Sequence, residues 1–265
     1  MSAPVTPAPA RPAARRRPGP GWVPRQHGAW AMLVVPPVVG ATLGGWRGVH
    51  VLLLAAWLVG YLAYHAAGLW LKARRRARYR PPVVVYGAAA GVLGVALVAT
   101  APHLLAWAPV FAPLLAASLW ASVRRADRSW WNDAVTVLAA CLMAPVAASL
   151  GSRATGPAGA PSSGLTPDVL LATAVLLAYL LGTVVYVKSM IRERDDPRVR
   201  RASVVYHAGV AAAGAVVHPL LLAVGLALTV RAALVPVRWP RATPAALGAG
   251  EIVATAVVTV AVLVV

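Results

Sequence analysis

Charge is scarce in this sequence. Of 265 residues only 12% are Asp, Glu, Lys or Arg, and seven are acidic against 25 Lys and Arg. A water-soluble domain of this length carries roughly twice that charged fraction, so that class is excluded. A single cysteine, Cys141, rules out an intramolecular disulfide; it lies inside an apolar run and reads as a small packing residue. There is no Walker loop, no metal-spaced set of His and Cys, and no G-x-S-x-G elbow. Heptads and groove-reading modules are absent too. The net charge of +18 does not indicate a nucleic-acid partner, because the basic residues fall in alternate loops, as membrane topology requires.

What is present is apolar sequence, 60% of the chain. Nine runs read as helices able to cross ~30 Å of hydrocarbon, at about 28–46, 48–71, 82–100, 103–123, 131–150, 168–189, 203–217, 218–236 and 248–265. The fold class is therefore all-α, a polytopic bundle of about nine transmembrane helices. Residues 1–24 are rich in Pro, Ala and Arg and read as a disordered basic tail, with residues 25–265 forming one transmembrane domain. The tail and the even-numbered loops hold 23 basic residues, Arg231 among them; the other loops hold Arg47 and Arg153. The positive-inside rule then places the N-terminus in the cytoplasm and the C-terminus outside.

Prolines 36, 37, 109, 113 and 145 fall within spans, where they either kink helices around a cavity or are simply tolerated, as proline often is in membranes. A faint internal repeat matches Tyr64, Lys72 and Val83–Ala88 to Tyr179, Lys188 and Ser203–Ala208, suggesting a 4+4+1 arrangement.

Two basic loops would then open on one side. The first supplies Lys72, Arg76 and their arginine neighbours; the second is the mixed segment YVKSMIRERDDPRVRR, with Lys188, Arg192, Arg194, Glu193, Asp195 and Asp196. Arginine forks suit phosphate oxygens, whereas the bland alternative is topogenic charge touching lipid headgroups. Arg25, Gln26 and His27 open the first span, where His27 either holds a phosphate or anchors the interface with Trp30. Asn132 and Asp133 begin the fifth span, Asp133 as a helix cap, a favourable charge on that helix end, or a site residue. His65 and His207 are ionisable groups within or near spans. Glu251 suits the first turn of the last helix and needs no further role.

The strings PRQHGAWAMLVVPPVVG and VKSMIRERDD resemble the YwiC-like bacterial membrane proteins, over most of the chain after residue 24. More remotely the chain is similar to the UbiA-type intramembrane prenyltransferases, which implies nine helices, a cytoplasmic-facing site, and magnesium held with a prenyl diphosphate by two aspartate-rich motifs. Met190–Asp196 matches the second motif in placement, making Glu193, Asp195 and Asp196 the candidate metal ligands. The first motif is replaced by Leu69–Arg76, which has no carboxylate, and Arg192 stands where an aspartate is expected. Magnesium beside a diphosphate needs several carboxylate oxygens, so the departures favour direct neutralisation of phosphate by arginine over metal-dependent transfer. The expected function is binding of a lipid or isoprenoid anion, or a quinone-like lipid, at a cytoplasmic-facing cavity of a bacterial cytoplasmic membrane protein. The alternatives are an active prenyltransferase with a rearranged site, using magnesium, and a transporter or membrane assembly factor.

Overall fold

A computed structural model describes residues 21–24, 29–152 and 164–265. The described chain is helical throughout: α1 (Ala29–Gly44), α2 (Val49–Lys72), α3 (Arg80–Thr100), α4 (Ala108–Val123), α5 (Trp130–Cys141), α6 (Met143–Ala148), α7 (Pro167–Ile191), α8 (Pro197–Val217), α9 (Pro219–Arg238) and α10 (Pro244–Val264). Short 3₁₀ turns at Ala77–Tyr79 and Pro102–Trp107 lead into α3 and α4. Seven stretches are long and apolar enough to span a membrane, with α5 and α6 counted as one. The two remaining helices are α1, of 16 residues, and α8, whose first turn is basic. The chain is thus a polytopic helical bundle.

The second half of the chain shows why its helices begin where they do. Thr166, Asp196, His218 and Thr243 each precede a proline and accept a backbone N–H from the first turn. A polar cap followed by Pro satisfies one orphan donor and supplies a residue that lacks another. The break between α5 and α6 has a similar cause. Pro145 has no N–H to return to Cys141, so the helix loosens at Leu142 before resuming. The fifth run, expected at 131–150 as one span, is therefore interrupted at Leu142.

Inside lipid there is little hydrophobic gain from joining apolar helices, so close packing and polar contacts must hold them. Glycine provides the closest approach, between α1 and α6. A Cβ on Gly40 would collide with the backbone carbonyl of Ala144, and one on Gly44 would lie 2.6 Å from the Ala148 oxygen. Gly225 does the same for α9 against α8, where Ala211 Cα is 2.6 Å away. The core gathers on α7, whose Leu176, Tyr179 and Leu180 pack with Val39, Val137, Cys141 and Val258. His50, near the start of α2, is buried: Nε2 lies 2.9 Å from the Ala147 oxygen, and Nδ1 accepts the Arg47 N–H at 2.9 Å. It locks α2 to α6 at the end opposite the basic loops.

Candidate functional site

Polar groups converge at two depths near the basic end of the bundle. The outer group centres on residues 124–133, between α4 and α5. Lys72, the last residue of α2, pairs with Asp127 at 2.7 Å, and Ser122 donates to the other carboxylate oxygen at 2.7 Å. Burial tends to raise the Asp127 carboxyl, but the hydrogen bonds from Lys72 and Ser122 outweigh it and hold it below the usual range. Asn132 is buried and donates to the Asp127 backbone oxygen at 2.8 Å. Lys188, in the last turn of α7, pairs with Asp133 at 2.5 Å and donates to the Arg128 oxygen at 3.1 Å. Its ammonium also sits 3.9 Å from the centre of the Trp130 ring. The two lysines therefore grip one segment from its two sides.

Asp133 is not the cap of α5. Ser129 takes that position, accepting the Asn132 N–H, and Asp133 lies in the first turn, facing Lys188. Beside it, burial and then the neighbouring charge of Arg128 lower the Arg192 guanidinium from its usual value. Other expected residues stay apart. Arg76 is exposed, and its neighbours Arg74 and Arg75 close α2 in left-handed conformations, with Arg75 above the Trp70 ring at 5.7 Å. Arg194 folds back to the Met190 oxygen, and Asp196 caps α8 through the Arg198 N–H. Arg25, Gln26 and His27 lie outside the described residues. Among the described residues no three His, Cys, Asp or Glu side chains come together as metal ligands. Glu193, Asp195 and Asp196 thus do not fit the magnesium–diphosphate site that the prenyltransferase resemblance implies.

The inner group is one that sequence reasoning missed. Arg231, counted among the loop charges, lies within α9, and Glu251 lies well inside α10 instead of in its first turn. They form an ion pair of 2.7 Å in which both side chains are largely buried. The second Glu251 oxygen accepts from Thr183 at 3.0 Å and from Tyr179 at 3.4 Å, and Tyr179 also meets Thr255 at 2.8 Å. Tyr186 places its ring 4.2 Å below the Arg231 guanidinium. His207, buried on α8, binds the Ser203 oxygen through Nδ1 at 2.7 Å, while its Nε2 points at the bare face of Gly182 on α7 without a hydrogen-bond partner. A single acid in one span and a single arginine in the span before it were the signal, since intramembrane ionisable residues are functional candidates by default.

This inner pair borders an open recess of about 670 Å³ between α7, α9 and α10. Tyr186, Arg231 and Glu251 form its inner end, Leu247 an apolar wall, and Trp239 and Arg241 its rim at the α9–α10 turn. The volume lies within the roughly 300–1,000 Å³ of small-molecule sites. The arrangement presents Arg231, paired with Glu251, at the inner end and Arg241 at the rim of a mostly apolar hollow.

Known proteins agree on the family and name no chemistry. Residues 23–148 match the family described as "YwiC-like protein". A Bacillus subtilis relative, printed as "Uncharacterized protein YwiC", is 31% identical over 186 residues, which cover 70% of this chain and 73% of the relative. A Haemophilus influenzae "Uncharacterized protein" is 28% identical over 183 residues, covering 69% of this chain and 72% of its own. No solved structure matches. The chain belongs to the YwiC-like family of proteins, here built as a helical membrane bundle.

Proposed function

We propose that this protein binds an amphipathic anion, a lipid or isoprenoid with a phosphate-like or carboxylate head, from the cytoplasmic face of a bacterial cytoplasmic membrane. One observation carries the reading: the recess between α7, α9 and α10 is apolar along Leu247 and has Arg231 at its inner end and Arg241 at its rim. Arginine matches two oxygens of an anionic head, and an apolar wall suits a tail. The lysines first expected to take the head, Lys72 and Lys188, are neutralised by Asp127 and Asp133, so the recess is the better receptor.

Orientation follows from charge. The α2–α3, α4–α5, α7–α8 and α9–α10 connections hold the basic residues and meet the cytoplasm under the positive-inside rule. Alkaline phosphatase fused after Val265 is then active, whereas fusion within Arg74–Arg78 gives none; the reverse pattern sinks the orientation. For binding, the purified chain is melted with prenyl diphosphates, with and without magnesium. A rise in melting temperature in both conditions is expected, and no rise in either removes the proposal.

A further inference from the structure

The inner ion pair is satisfied on one side only. Arg231 precedes the end of α9 by seven residues and Glu251 follows the start of α10 by seven, which puts both about 10 Å below the turn. Glu251 accepts hydrogen bonds from Arg231, Thr183 and Tyr179, using both oxygens. Arg231 commits only Nη1; its Nε and Nη2 are buried and donate to no one. Those two nitrogens form the side-on fork of the guanidinium, whose parallel N–H bonds fit two oxygens of one phosphate or carboxylate. A charged donor buried without an acceptor is costly, and the hollow next to it has room for a ligand to supply one. The guanidinium is held meanwhile over the Tyr186 ring, and both residues border the recess.

We propose that Arg231 is the headgroup receptor of this recess, its Nε–Nη2 fork taking two oxygens of a phosphate head whose tail runs along Leu247, and that Glu251 is the internal counter-ion it leaves. Rotation of the guanidinium off Tyr186 turns the fork toward the hollow. Glu251 then keeps its hydrogen bonds to Thr183 and Tyr179, which offset part of the cost of the arginine's departure. Ligand and Glu251 compete for one cation. This inference deepens the proposed function and rests on it.

The test measures binding to the full-length chain in an uncharged detergent, using dodecyl phosphate, inorganic phosphate and dodecyltrimethylammonium. Wild type is expected to bind dodecyl phosphate more tightly than the other two. Glu251→Gln removes the competing charge and tightens binding by about tenfold, while the charge-neutral pair Arg231→Gln with Glu251→Gln weakens it by about tenfold to a hundredfold, as loss of charge-assisted hydrogen bonds implies. If wild type binds no dodecyl phosphate, the proposed function fails and this inference with it. If wild type binds and the double variant binds equally well, the receptor assignment alone is overturned. Inorganic phosphate binding as tightly as dodecyl phosphate overturns the role of the tail. Should the double variant not fold, Glu251→Gln decides: unchanged or weaker binding overturns the competition.

Discussion

The outer and inner polar groups use the same kinds of residue to opposite ends. Around residues 124–133, each lysine has its own acid, Lys188 adds a carbonyl and a ring, and Lys72 keeps a side chain 36% exposed. Around Arg231 the acid is saturated and the base is not, although both lie deeper in the bundle. A matched pair at the water boundary fastens a loop at little electrostatic cost. An incompletely matched pair inside a span is expensive to maintain, and such sites are where a membrane protein keeps its function. Depth and satisfaction together, more than charge density, distinguish the pair proposed as a receptor from the pairs that fasten a loop.

Substitutions can break this comparison in graded steps. The largest loss of stability is expected for Arg231→Ala, which leaves Glu251 buried without its counter-charge at a cost of about 3–5 kcal/mol. Replacing both members with glutamine should restore much of that loss, and melting curves that fail to separate single from double variant would mean the pair is already solvated. Lys188→Met comes next, at about 2 kcal/mol, because a mostly buried ammonium loses a carboxylate, a carbonyl and the Trp130 ring. Lys72→Met should cost no more than about 1 kcal/mol, since exposed pairs are screened. Equal effects at the two lysines would erase the distinction between them.

The smallest effect is in pH. Asp127 has a folded-state pKa below its unfolded one. Its stabilisation is therefore complete above the unfolded value of about 3.9 and is lost as pH falls through the folded value. The stability gap between wild type and Lys72→Met should be constant near neutrality and shrink in acid below about pH 4. A gap that ignores pH contradicts the Lys72–Asp127 assignment.

The helical bundle was legible in the sequence because apolar runs and loop charge are properties of whole segments. Single residues were not. Arg231 looked like one more topogenic charge, and Glu251 looked like a helix start. Their meeting depends on the α9–α10 hairpin bringing positions twenty residues apart to the same depth. Asp133 was read as a cap or a favourable charge at its helix start; Ser129 is the cap and Asp133 the first-turn charge, while its partner Lys188 comes from a distant helix that local rules do not reach. Lys72 and Lys188 were both named as candidates, but the acid that pairs with Lys72, Asp127, lies in a connection read only for its basic residues.

The glycine seam between α1 and α6 bears on how the chain is made. Gly40 and Gly44 fit against the backbone of Ala144 and Ala148, which leave the ribosome about a hundred residues after α1 is complete. A short helix with Pro36 and Pro37 in its middle must therefore wait while about a hundred further residues are made before the helix it packs against arrives. A bulky replacement at Gly40 is therefore expected to leave α1 without its seat on α6 and to lower the yield of folded protein.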